Sequence, residues 1–194
     1  MGLWTAGMKE DFRALRVKYP EYEVWVTGHS LGGAMASLAA SYIIAEEGVP
    51  STSVKMVTFG QPRVGDYQYA KVHDTQTVSW FGFHDILELV GEQALAAPVT
   101  PKVRYEIAYS FRVTHWRDMV PHLPPKFFMG YYHHESEVFY HLNMAAGARY
   151  TVCHGDESEE CSDGLFFALS VEDHLHYFDV DVNDYGLNGC NTTV

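Results

Sequence analysis

Apolar positions along the first sixty residues change their spacing twice. Met8, Phe12, Leu15 and Tyr19 recur at i, i+4, i+7 and i+11, one face of a helix, and Pro20 ends the run. Residues 22–27 (Tyr-Glu-Val-Trp-Val-Thr) are β-branched and aromatic and predict a short strand broken by Gly28. From about Ser30 to Glu46 the chain is dense in alanine and predicts a second helix. Val54 to Phe59 predicts a second strand, stopped by Gly60-Gln61-Pro62. Ser110 to Thr114 predicts a third strand, and Tyr150-Thr151-Val152 a fourth. Strand, helix and strand within roughly forty residues make a βαβ unit, so the expected class is α/β: a mostly parallel sheet with flanking helices.

One stretch resists this pattern. Between Asp74 and Tyr109 the chain offers only a short helical segment over residues 85–96 and two prolines, Pro98 and Pro101. Loops beyond about 15 residues are uncommon inside compact domains.

Composition removes several classes of function. The chain of 194 residues is 47% hydrophobic and 14% aromatic, which excludes disorder throughout and fits a single domain. Its net charge of −12, with Lys and Arg scattered, gives nucleic acid no basic surface. The longest apolar stretch, Leu31 to Ala45, is interrupted by Ser37 and Ser41 and closed by Glu46 and Glu47. A spanning helix needs roughly 20 predominantly apolar residues, so no transmembrane segment is expected. The opening residues lack the basic start and apolar run of a signal peptide. Cys153 and Cys161 lie close together in an acidic loop where a cross-link is sterically easy, leaving Cys190 over. With the acceptor pattern Asn191-Thr192-Thr193, the cysteines point to an exported protein whose upstream part lies outside this chain.

The sharpest chemical signal is Gly28-His29-Ser30-Leu31-Gly32, a G-x-S-x-G string between a predicted strand and a predicted helix. A serine on such a turn takes a strained backbone conformation that holds its hydroxyl clear of the sheet. Side chains at 28 and 32 are expected to clash with the neighbouring strand and helix. The helix aims its N-terminal amides at the same point, so the Leu31 N–H becomes an oxyanion donor. Serine needs a base and an acid to orient that base. In the chain order of α/β hydrolases these follow the serine as Asp or Glu, then His. Asp118, four residues past the third strand, and His174, after a loop, fit that order; Asp66, Asp74, Asp85 and His176 compete on spacing alone. His174 also suits the first turn of a helix opened by Ser170. His133, His134, Glu137 and His141 match no strong metal-ligand spacing, and neither metal nor cofactor is expected.

Four blocks in order resemble the class 3 lipase family. They are residues 26–34 (Val-Thr-Gly-His-Ser-Leu-Gly-Gly-Ala) and 59–66 (Phe-Gly-Gln-Pro-Arg-Val-Gly-Asp), then Arg112 to His115 with Asp118 and residues 120–125, then Asp173-His174-Leu175 with Tyr177-Phe178. The resemblance implies an α/β-hydrolase fold, carboxylic ester hydrolysis on lipids at an interface, and export. It also implies Ser30 as nucleophile, Asp118 as acid and His174 as base. A further block from Gly130-Tyr131 through His133, His134, Glu135 and Glu137 resembles the family beyond the proline turn, with a structural role.

Two departures qualify the expectation. Family members carry, ahead of the helix at Ala6, earlier strands, a lid and a second oxyanion donor, so one partial domain over residues 1–194 is expected, incomplete at its N-terminus. They also join the His73-Asp74 region to the Tyr109-Ser110-Phe111 strand by a short linker, so 75–108 reads as an insertion without catalytic role. Two alternatives remain open: a catalytically impaired binding module, and an esterase on non-lipid, feruloyl-type esters. Phe127-Phe128-Met129 with Tyr131-Tyr132 offers either a groove lining or core.

Overall fold

In the computed structural model, residues 2–75, 109–145 and 147–190 are described. The insertion expected at about 75–108 (apart from Thr75), its short helix, the competitor Asp85 and the acceptor at Asn191 lie outside those residues.

The β-branched and aromatic runs become neighbours in one sheet. Strands β1 (Val24–His29), β2 (Val54–Phe59), β4 (Ser110–His115), β6 (Glu137–Tyr140) and β7 (Tyr150–Cys153) lie in the order β1-β2-β4-β6-β7. The first three pairings are parallel, with Val24 opposite Val54, Met56 opposite Ser110 and Arg112 opposite Glu137; β7 joins antiparallel. Two short ladders complete the strands: β3 (Gly65–Asp66) with β5 (Tyr131–Tyr132), and β8 (His176–Tyr177) with β9 (Val180–Asp181). The helices are α1 (Lys9–Lys18), α2 (Leu31–Glu47), α3 (Tyr67–Thr75), α4 (Glu172–Leu175) and α5 (Val182–Leu187).

Small residues let α2 lie close on the sheet: Gly33, Ala34, Ala36, Ser37 and Ala40 are buried, and Ile43 fills the core beyond them. Alternation along β2 sends Val54, Met56 and Thr58 under α2, while Val57 and Phe59 pack on the other face with Val113, Met144 and Tyr177. The central strands β2 and β4 are covered on both faces, which explains their near-continuous apolar runs, whereas the edge strand β1 leaves Trp25 exposed.

Three expectations need adjustment. The first strand continues through Gly28 to His29 instead of ending at Gly28. The helix expected from Met8 to Tyr19 forms, but only Phe12 packs into the core; Met8 and Leu15 are exposed. Strand β6, not anticipated, carries a buried Glu137 whose Oε1 accepts from Thr114 Oγ1 at 2.5 Å and Ser162 N at 3.2 Å, beside Arg112 Nη2. Beyond β7, the Cys153–Cys161 disulfide closes an acidic loop. That loop delivers Glu157 to a buried bidentate pair with Arg63 (2.7 and 2.8 Å), and Asp163 adds a third contact at 3.1 Å.

Candidate active site

The parallel strands place their carboxyl ends along one edge of the sheet, where open α/β sheets build their sites. Ser30 follows β1, Gly60 follows β2 and Asp118 lies just past β4. Ser30 sits at φ 58° and ψ −129°, a region L-residues rarely adopt, and its N–H donates to Phe59 O at 2.9 Å, which ties the bend to β2. The turn is tight because Gly28 lies against the backbone carbonyl of Gly32; a Cβ at 28 would overlap it. Gly32, expected to be equally constrained, has open space where its Cβ would stand; the close contact falls on Gly33, whose Cβ would lie 3.1 Å from Gln61 Cβ. Close packing of helix on sheet therefore acts one residue later than the motif suggests.

The three residues singled out in the sequence come together. His174 Nε2 lies 2.9 Å from Ser30 Oγ, and His174 Nδ1 lies 2.9 Å from Asp118 Oδ2. His174 rides on α4, whose preceding turn is closed by Ser170 Oγ accepting from Asp173 N at 2.9 Å. Asp118 is buried and held from three sides: Oδ1 accepts from Val120 N at 2.8 Å, and Oδ2 from Tyr177 Oη at 2.7 Å as well as from His174. Burial, then the Asp118 charge, push the Tyr177 phenol well above its ordinary value, so it stays protonated and donates. Leu31 opens α2, so its N–H belongs to the first helical turn, whose donors have no intrahelical acceptor.

Gly60 completes the pocket behind the pair. Its φ is +55°, and a Cβ there would stand 2.8 Å from Asp118 Oδ2 and 3.0 Å from both His174 Nδ1 and Tyr177 Oη. His29 stacks on His174 with ring centroids 4.5 Å apart, and its Nε2–H donates to His174 O at 2.8 Å. Burial lowers the His29 pKa, only partly opposed by that hydrogen bond, and favours the neutral ring. Gly60, Tyr177 and His29 stand in the sequence blocks without an assigned role. Their signal was adjacency: one precedes Ser30, one follows the second strand, one lies a turn past His174.

The competitors go elsewhere. Asp66 accepts from Tyr69 N at 2.8 Å at the start of α3, Asp74 accepts from Glu135 N at 2.9 Å, and His176 is half-buried beside Glu172 and Asp181. Among the described residues, the groups close enough to share an ion are His73, Asp74 and His134, and Asp74, Glu135 and Asp156, not the four weighed in the sequence. His134 is already engaged: Nδ1–H donates to Glu135 O at 2.7 Å, and Nε2 meets Gln61 Nε2 and Ser37 Oγ at 3.0 and 3.2 Å.

Comparison with known proteins gives the same direction. The family described as Lipase (class 3) matches residues 1–128. A Caenorhabditis elegans lipase is 34% identical over 206 residues, covering 91% of this chain and 50% of the relative. The secreted mono- and diacylglycerol lipase 1 of Fusarium solani is 30% identical over 179 residues, covering 90% and 43%. The solved Rhizomucor miehei triacylglyceride lipase superposes with a TM-score of 0.69 at 31% identity, covering 93% of this chain and 56% of that one. The chain thus spans about half or less of the length of these curated relatives. The α/β-hydrolase fold expected from the sequence is the fold of these neighbours. No described helix is long and apolar enough to cross a membrane.

Proposed function

This chain belongs to the class 3 lipase family, and from that premise we propose that it hydrolyses carboxylic esters of lipids through Ser30, His174 and Asp118. One observation carries the reading: the continuous run of contacts from Ser30 Oγ through both nitrogens of His174 to Asp118, 2.9 Å at each step. In the forward half-reaction His174 Nε2 takes the Ser30 proton as Oγ attacks the acyl carbonyl. The tetrahedral oxyanion meets the Leu31 N–H at the positive end of α2. Collapse expels the alcohol, which receives the proton from His174 and leaves an acyl ester on Ser30. Water, deprotonated by the same imidazole, then attacks that ester; the fatty acid leaves and Oγ regains its proton. Asp118 keeps Nδ1 protonated and faces the imidazolium formed twice per turnover.

Lipid as the substrate class draws support from the lipases among the relatives and from exposed apolar side chains on the segment leading to the base and next to the nucleophile. Phe166, Phe167 and Leu169 are 90%, 62% and 73% exposed on the segment that leads through Ser170 to His174, and Leu31 is exposed next to the nucleophile. The disulfide and the secreted Fusarium relative support an extracellular setting.

Labelling with a fluorophosphonate probe tests the reading. The full chain is expected to react at Ser30, to lose labelling in Ser30→Ala, and to lose it by orders of magnitude in His174→Ala. Folded protein that refuses the probe would overturn the hydrolase reading and favour a binding module. Turnover of butyrate against long-chain esters, measured separately, divides lipid from small-ester substrates.

A further inference from the structure

The base is carried by a very short helix. Helix α4 has four residues, Glu172 to Leu175, and the chain leaves it directly into β8. A single turn has almost no intrinsic stability in water. Its last carbonyls have no acceptor role within the helix, because no residue four positions on continues it. Something outside must hold them if His174 is to stand still.

Two imidazoles do so. His29 Nε2–H donates to His174 O at 2.8 Å, and His115 Nδ1 lies 3.0 Å from Asp173 O, so two consecutive carbonyls of the turn each meet a histidine ring. The rings come from the ends of β1 and β4, which flank β2 in the sheet. His115 Nε2 also lies 3.0 Å from Leu142 O; a neutral imidazole has a single N–H to donate, so the ring bridges both carbonyls only when both nitrogens carry protons. Tyr177 presents its ring to both, centroids 5.5 Å from His29 and 5.8 Å from His115, while its hydroxyl holds Asp118. His29 also lies flat on the His174 ring.

We propose that His29 and His115 are positioning residues for the base: they hold the backbone of the one-turn helix from two strands, and His29 additionally fixes the plane of the His174 ring. The inference rests on the reading of His174 as general base. Neither imidazole touches the reacting atoms. Their contribution is that Nε2 meets Ser30 and Nδ1 meets Asp118 at the same time, which a helix free to rock by an ångström would not maintain.

The test uses the full chain with His29→Phe, which keeps a ring but loses the donor, and His29→Gln, which keeps a donor but loses the ring. His115→Leu and His115→Gln form the second pair. On a soluble p-nitrophenyl ester, His29→Phe and His115→Leu are expected to lower kcat by about ten- to hundredfold, with KM within about twofold, the scale of a small misplacement. The glutamine variants are expected to recover part of that loss. Proton NMR supplies a readout independent of turnover: the downfield Nδ1–H resonance of His174 should shift or broaden in both apolar variants while circular dichroism stays unchanged. An unchanged resonance with unchanged kcat in folded variants would overturn the proposal. So would a kcat loss that merely tracks the folded fraction. A wild-type chain that shows the resonance but refuses the fluorophosphonate would sink the hydrolase reading and leave the clamp standing, because the resonance alone still reports it.

Discussion

Removing one oxygen from Tyr177 is the mildest change that reaches Asp118. The phenol is one of three donors to a buried carboxylate, and hydrogen bonds to charged groups contribute roughly 1.5–3 kcal/mol. Tyr177→Phe leaves the fold's apolar contacts in place but takes away one of the donors that fix the Asp118 carboxylate against His174. We expect kcat to fall about tenfold or more at unchanged KM, read on a soluble ester. Gly60→Ala should be worse than Tyr177→Phe. Its new methyl would press on Asp118, His174 and Tyr177 together, at a φ of +55° where alanine is strained. If Gly60→Ala labels with fluorophosphonate at the wild-type rate, the pair tolerates displacement and the packing argument fails. Both effects arise from atoms in contact with Asp118, whereas His29 and His115 act through the backbone of α4, and His29 also through the His174 ring it stacks on.

At the level of elements, the strand-to-helix bend makes an ordered prediction about three glycines. Gly28→Ala forces a Cβ into the backbone of Gly32 and should be the most destabilising; Gly33→Ala meets Gln61 and Thr58 at 3.1–3.3 Å and should be intermediate. Gly32→Ala meets nothing, and alanine is favoured over glycine in a helix by about 1 kcal/mol, so it should be neutral or stabilising. Thermal melts of the three variants check the order; a Gly32→Ala protein that melts as low as Gly28→Ala contradicts it. The same comparison shows what was legible beforehand. β2 and β4 announced themselves because central strands covered on both faces leave apolar runs, β1 and β7 by their β-branched and aromatic residues, α2 by its alanines, and Cys153 and Cys161 because their loop is short. The Ser30, Asp118 and His174 candidates emerged from motif and order, although spacing alone left rivals. β6 did not show itself, because one of its two inward positions is Glu137 (the other is Phe139), and a charge in the core is intelligible only beside Thr114, Ser162 and Arg112 from distant elements. The clash assigned to Gly32 belongs to Gly33 for a similar reason: which glycine meets the sheet depends on where the helix begins to wind, and a motif carries no such angle.

For the whole molecule, buried titratable groups set a stability profile in which opposite signs compete. His73, His133 and His134 are all held below their ordinary value, chiefly by burial, His73 to about 3. The unfolded chain takes up protons on these rings as pH falls through about 6.5, while the folded chain does not, so stability present above that pH is lost on acidification. Asp74 works in the other direction. Burial first, and the neighbouring Asp156 next, raise its carboxyl to about 7. Between the ordinary carboxylate range and about 7 the folded state therefore keeps a proton that the unfolded state has released, and stability declines as pH rises through that window. Three rings outweigh one carboxyl through the whole range, so the melting temperature should rise steeply from pH 4 and level off between about pH 7 and 8. Asp74→Asn separates the two contributions: asparagine retains an oxygen for Glu135 N and resembles the protonated acid. The variant should match the wild type near pH 4 and melt progressively higher up to about pH 7, by an amount moderated by the partial exposure of Asp74. Melting curves from pH 4 to 8 that run parallel for the two proteins would show that Asp74 ionises no differently in the folded chain. A wild-type curve flat between pH 7 and 4 would show instead that the three imidazoles find protons without unfolding.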